Sequence, residues 1–292
     1  MIKKFIFIAE LLRVKQWVKN AFILFPIIFS GNLKDLALLK TVLITFWGFC
    51  LTASSVYVLN DFIDSEKDRL HPKKSLRPLV QNKFPYQTIV SIILSLMICG
   101  LLLCLWANPF ILFMAVVYLA VHLTYNFFTK HIVILDVIFV AVGFQIRIWA
   151  GAYAANVLPS AWLQLCVFLL ALFLGFNKRR HELESLGLTA SLHRRVLSHY
   201  TTYLLDQLII ISSTLAIVFY GLYTISPDIQ ARVGNHNMVY SVVFVIYGMF
   251  RYLYLVHVKK IGDDPGEVLI QDKPLIVNVL LWVVFIVFVL YK

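Results

Sequence analysis

Residues 36–68 read LALLKTVLITFWGFCLTASSVYVLNDFIDSEKD, and this stretch decides the fold class. Up to Asn60, Lys40 is the one charged residue in a run of apolar and small side chains. About 20 helical residues cross a hydrocarbon core of about 30 Å, so the run is long enough to span a membrane. Backbone groups in lipid must pair within their own segment, so the run is expected to be a helix. At its end stands Asn60-Asp61-Phe62-Ile63-Asp64-Ser65-Glu66-Lys67-Asp68. If the helix continues, the i, i+3, i+7 spacing of Asp61, Asp64 and Asp68 stacks three carboxylates on one face. Carboxylates that close repel one another and are tolerated when a divalent cation sits among them. Mg²⁺ suits such oxygen ligands, typically taking one or two carboxylates plus substrate phosphates. The bland alternative is a solvated acidic loop start. The abutting span and the basic run that follows, with Arg69, His71, Lys73, Lys74 and Arg77, weigh against it.

Working outward, apolar runs of the same kind recur. The chain of 292 residues is 61% hydrophobic and only 14% charged, with a mean hydropathy of +0.83. A soluble domain carries about a quarter charged residues. Nine spans are expected, at about 15–31, 36–60, 86–106, 110–128, 132–153, 160–177, 203–225, 237–257 and 274–291. Residues 1–12 read as an interfacial helix with Phe5, Ile8, Leu11 and Leu12 on one side. The expected fold is all-α, a single nine-helix transmembrane domain over residues 1–292. The apolar run in Met1 to Ala9 is too short for a cleavable signal peptide. Cys50, Cys99, Cys104 and Cys166 lie inside apolar runs without metal-ligand spacing and read as small hydrophobes. The net charge of +11 would suggest nucleic acid in a soluble protein, but here the basic residues occupy short loops. Twenty fall on one side of the nine-span layout and four on the other, with Arg147 and Arg251 inside spans. The positive-inside rule then puts the N-terminus in the cytoplasm and the C-terminus outside.

Further polar constellations collect on the side of Asp61. Lys15 and Lys19, and Gln16 and Asn20, are i, i+4 pairs that would make one polar stripe on the first span, facing a cavity or else snorkelling to the interface. Lys73, Lys74 and Arg77 suit phosphate, although a positive-inside loop alone asks for such charge. Tyr125, Asn126, Lys130 and His131 link the fourth and fifth spans, and Asp136 follows a turn inside the fifth. Arg147 lies deeper on that helix, either as a ligand residue or as a tie between helices. Asn177, Lys178, Arg179, Arg180, His181 and Glu182 leave the sixth span, mixing donors for phosphate oxygens with acidic acceptors.

Together these residues resemble the UbiA superfamily of intramembrane prenyltransferases. The span layout and Asn60 to Asp68 carry that resemblance. Within the superfamily, the decaprenyl-phosphate phosphoribosyltransferases are the most similar, through Lys15 to Asn20, Asp68 to Pro72, Lys130-His131 with Leu135-Asp136, Gly143 to Arg147, Lys178 to Arg180 with Glu182, and Asp272-Lys273-Pro274. The resemblance implies a Mg²⁺-dependent transferase in a bacterial inner membrane with its site at the cytoplasmic face. Its partners would be a polyprenyl phosphate and phosphoribosyl pyrophosphate. Asp61, Asp64 and Asp68 would hold the metal. Lys15, Gln16, Lys19, Asn20, Asn60, Lys73, Arg77, Tyr125, Lys130, Asp136, Arg147, Lys178, Arg179, Arg180 and Glu182 would bind substrates. One departure is informative. Relatives that prenylate aromatic acceptors carry a second Asp-rich motif after the sixth span, where this chain has Lys178-Arg179-Arg180-His181-Glu182. An aromatic polyprenyltransferase is the runner-up. A transporter for an anionic lipid would need access from both faces, and the charges gather on one.

Overall fold

The computed structural model describes residues 2–69, 74–81, 84–187, 194–234, 236–261 and 265–292. Lys73, one of the candidate ligand residues, lies outside these ranges. Among the described residues there is no β-strand. An amphipathic helix α1 (Ile2–Leu11) precedes the bundle, and a short α2 (Phe25–Phe29) ends the first expected span. The long helices are α3 (Leu36–Ile63), α4 (Tyr86–Ala107), α5 (Pro109–Phe127), α6 (Leu135–Ala154), α7 (Ala161–Leu186), α8 (Thr202–Thr224), α9 (Val242–His257) and α10 (Lys273–Tyr291). With the 3₁₀ turn Asn237–Ser241 joined to α9, eight helices among the described residues are long and apolar enough to cross a membrane. Their exposed faces carry Leu102, Trp106, Phe113, Val277, Val284 and Phe288. A surface of that kind belongs in lipid, and the chain is an integral membrane protein.

The first expected span differs from the rest. Residues Val14–Leu24 form a 3₁₀ helix that runs into α2. At about 2.0 Å per residue for the first part and 1.5 Å for the second, the segment extends roughly 30 Å, enough to cross with few residues. At 3.0 residues per turn, i and i+4 no longer share a face. The expected stripe of Lys15, Gln16, Lys19 and Asn20 is therefore broken: Lys15 is exposed while Asn20 is buried. Close backbone contact holds the segment in place. A Cβ on Gly151 of α6 would stand 2.1 Å from the Ile23 carbonyl oxygen, so only glycine permits this approach. The α3–α4 pair is packed the same way, since a Cβ on Gly100 would meet Thr52 Oγ1 at 2.5 Å and the Gly48 carbonyl at 2.8 Å. Small residues let membrane helices approach backbone to backbone, where dispersion is the main attraction.

Helix α6 is the centre of the bundle, packed against the first span, α3, α5 and α7. Helices α7 and α8 form a second close pair, and α9 packs on α10. Helix α7 runs about nine residues beyond the expected 177 because Arg179 pairs with Glu182 and Arg180 with Glu184, at i, i+3 and i, i+4. The ends of α3, α5, α7 and α9 and the starts of α4, α6, α8 and α10 form one end of the bundle, and the candidate residues collect there.

Candidate active site at the charged end of the bundle

Helix α3 stops at Ile63. Asp64 caps it at φ −89°, ψ 5°, and a separate single turn Ser65–Asp68 follows. The continuous i, i+3, i+7 face is therefore not formed, and the three carboxylates separate into two groups. Asp61 and Asp68, both buried, converge on Arg77 Nη1, at 2.8 Å for Asp61 Oδ1 and with Asp68 Oδ2 as the second contact. Arg13 grips Asp61 as a fork, donating Nε–H to Oδ2 at 2.8 Å and Nη2–H to Oδ1. Arg13 takes a left-handed backbone (φ 51°) between α1 and the 3₁₀ segment. Burial and the neighbouring Arg13 lower the proton affinity of the Arg77 guanidinium from its ordinary value. Asp64 is turned the other way and accepts from Lys130 Nζ at 3.1 Å. Among the described residues no three His, Cys, Asp or Glu side chains lie together as a metal cage. Two carboxylates converging on one cationic nitrogen do fit Mg²⁺, which completes its shell with water and substrate phosphate.

A second cluster surrounds Asp136 at the start of α6. Asp136 is fully buried, and Arg179 of α7 donates Nε–H to its Oδ2 at 2.6 Å. The Tyr200 hydroxyl donates to Oδ1 at 2.7 Å and accepts from Ile134 N–H at 2.7 Å. Burial and the adjacent Asp136 raise the Tyr200 phenol well above its ordinary value, which keeps it a donor. Ile134 sits at φ 69°, and the Leu135 N–H donates to the Val133 carbonyl at 2.8 Å. This is the strained form of the γ-turn, unusual for a β-branched residue. The strain aims Asp136 into the bundle rather than along the surface. Arg179 also pairs with Glu182 at 2.8 Å, and Arg194 approaches Asp136 at 3.6 Å while donating to the Tyr125 hydroxyl. Arg180 points elsewhere, to Asp206 of α8 and to Glu184. Lys178 is half-buried.

Several buried polar atoms at this end have no hydrogen-bond partner: Asn126 Nδ2, Thr129 Oγ1, Asn177 Oδ1 and Arg194 Nε. Buried donors and acceptors are ordinarily paired, so a concentration of unpaired ones marks a place built for a polar ligand. Arg147, deeper in α6, is held by Asn20 Oδ1 at 2.6 Å, the Gly143 carbonyl at 2.8 Å and the Tyr118 hydroxyl at 2.9 Å. Of the remaining candidates, Gln16 and Asn60 are half-buried at the same end.

Sequence reasoning missed Arg13, Arg194, Tyr200 and Tyr118 as members of the site. Arg13 and Arg194 were visible as charge beside a span. Tyr118, like His122 one turn later, is a polar-capable residue inside an apolar run, which is a signal in lipid.

The UbiA prenyltransferase family matches residues 23–265. The chain belongs to that family. Decaprenyl-phosphate phosphoribosyltransferase of Mycolicibacterium smegmatis is 31% identical over 285 residues, covering 94% of this chain and 90% of the relative. The protein of the same description from Corynebacterium glutamicum is 31% identical over 284 residues, covering 96% and 85%. The fold matches a UbiA homolog from Archaeoglobus fulgidus bound to DMAPP and Mg²⁺, with a TM-score of 0.71, 15% identity, and coverage of 97% of this chain and 98% of that one. The UbiA family thus accounts for the helical bundle.

Proposed function

We propose that this protein transfers the 5-phosphoribosyl group of phosphoribosyl pyrophosphate to a polyprenyl phosphate at the cytoplasmic face of a bacterial inner membrane, releasing pyrophosphate. The observation that carries the reading is the second basic cluster, Arg179 and Arg194 around Asp136, bordered by unpaired polar atoms. A donor with phosphate at both ends needs two binding sites, and a prenyl diphosphate needs one. The relatives named decaprenyl-phosphate phosphoribosyltransferase support the same assignment.

In the reaction the C1–O bond to the diphosphate breaks and a lipid-phosphate oxygen bonds to C1. Negative charge gathers on the leaving diphosphate. Asp61 and Asp68 would hold Mg²⁺, which supplies positive charge to that group. Arg13, Arg77 and Lys130, now paired with the motif's carboxylates, are positioned to neutralise phosphate oxygens. Arg194, with an unpaired Nε–H, would take the donor's 5-phosphate beside Tyr125 and Thr129. The lipid phosphate is already an anion, so no base is required to activate it and positioning is the main task.

The test is to supply each donor to purified protein. Phosphoribosyl pyrophosphate with polyprenyl phosphate should give a phosphoribosylated lipid, while a polyprenyl diphosphate with an aromatic acceptor should give nothing. The opposite result would establish the aromatic transferase instead.

A further inference from the structure

Arg147 is 3% exposed in the middle of α6, yet among the described residues no carboxylate pairs with it. Its three hydrogen-bond partners are neutral, and it also stacks over the Tyr118 ring at 4.7 Å and the Phe144 ring at 5.4 Å. A guanidinium has five N–H donors, so two remain. Uncompensated charge at this depth is costly and ordinarily faces a cavity or a charged partner.

A second observation lies beside it. His122 of α5 has its Nε2 buried and without a hydrogen-bond partner. The ring packs on Tyr118 at 4.2 Å between centroids, which fixes the direction of that nitrogen. Across from it Gly143 carries no side chain. A Cβ there would come within 3.2 Å of His122 Nε2 and 3.5 Å of Arg147 Nη1. The imidazole and the guanidinium therefore border one patch at the bare Cα of Gly143, too close to it for a side chain to fit without displacing the imidazole. Gly143 lies seven residues beyond Asp136, so the patch is about 10 Å deeper than the Asp136 cluster. Lys19, on the first span, is a further positive charge acting on His122.

We infer that His122, Arg147 and Gly143 form an anion subsite that takes the phosphate monoester of the acceptor lipid. The assignment rests on the reaction proposed above. The charge calls for an anion, and Nε2–H of the imidazole adds a directed donor to it. Depth selects the lipid: its phosphate is carried into the bundle by a tail lying between helices, whereas the soluble donor meets the two clusters at the mouth.

The experiment measures equilibrium binding to the purified full-length protein in detergent, with no donor present. Ligands are farnesyl phosphate, farnesol and inorganic phosphate, and, separately, phosphoribosyl pyrophosphate with Mg²⁺. His122 Nε2 makes no hydrogen bond, so its replacement breaks none at that atom and folding should survive. His122→Ala should weaken farnesyl phosphate at least tenfold, leave farnesol and phosphoribosyl pyrophosphate within twofold, and be partly rescued by His122→Gln, whose amide supplies a donor. Gly143→Ala, whose methyl group would press on His122 Nε2 and displace the imidazole, should give the same loss. Unchanged farnesyl phosphate affinity in both variants would overturn the subsite. A selective loss of phosphoribosyl pyrophosphate would overturn its assignment to the lipid, and so would inorganic phosphate binding as tightly as farnesyl phosphate. Because no turnover is read, wild-type protein that shows the lipid pattern but transfers no phosphoribose would support the subsite while removing the reaction.

Discussion

At the residue scale, the site is a set of charges each held by a distant partner. Asp61 meets Arg13 across 48 positions, and Asp64 meets Lys130 across 66. The residues themselves were legible, because charge at the ends of apolar runs is conspicuous. Their pairing was not, because nothing local encodes which helix ends meet. The break after Ile63 was hidden for the same reason: the i, i+3, i+7 spacing fits a helix, and tertiary pairing turns Asp64 away from it. Asp61→Asn and Asp68→Asn remove one negative charge each at constant size and should abolish turnover while the protein still purifies as a folded species. Near-normal rates in both variants would remove the metal role. Alanine at Lys178, Arg179 and Arg180 should give an uneven series. Arg179→Ala takes from the buried Asp136 its nearest cationic partner, and removing one member of a buried pair costs about 3–5 kcal/mol. It should lower the melting temperature and raise the donor KM at least tenfold, a loss of about 1.4 kcal/mol in binding. Arg180→Ala should do neither to that extent, because its partners Asp206 and Glu184 are solvent-accessible. Steady-state kinetics with each substrate varied, alongside thermal unfolding, checks the series.

At the element scale, the long spans other than α7 were legible almost to their ends, since twenty apolar residues in lipid have few alternatives to a helix. The first span was not. Its 3₁₀ winding comes from docking against α3 and α6, where Trp17 Nε1–H donates to Ser54 Oγ at 2.9 Å and Ile23 presses its carbonyl on Gly151. No periodicity in residues 14–24 announces a 3.0-residue turn. The docking has a direct consequence. Gly151→Ala would place a methyl group 2.1 Å from the Ile23 oxygen, so the first span must move outward. That displacement carries Asn20 away from Arg147, to which it is bonded. The variant should lose several degrees of thermal stability and most of its activity. An equally stable and active Gly151→Ala would show that the contact is slack.

At the scale of the whole molecule, the charges gather at one end, and the basic residues there outnumber those at the other end twenty to four in the nine-span layout. That bias predicts that a reporter after Lys292 is extracytoplasmic and one inserted near Gly262 is cytoplasmic. Labelling with an impermeant reagent reads both, and reversed labelling would leave a soluble phosphorylated donor on the wrong side of the membrane. The family was legible from motifs along nearly the whole chain, while the deep Arg147–His122 arrangement needed three helices in place to be seen. The most direct test of the central claim uses phosphoribosyl pyrophosphate carrying ¹⁴C in its ribose, with polyprenyl phosphate, Mg²⁺ and purified protein, followed by solvent extraction. The label should pass into the organic phase with one pyrophosphate released per lipid labelled, and should stay aqueous when the lipid is omitted or a chelator is added. Label that remains aqueous in the complete mixture, while a polyprenyl diphosphate is consumed with an aromatic acceptor, would contradict the account.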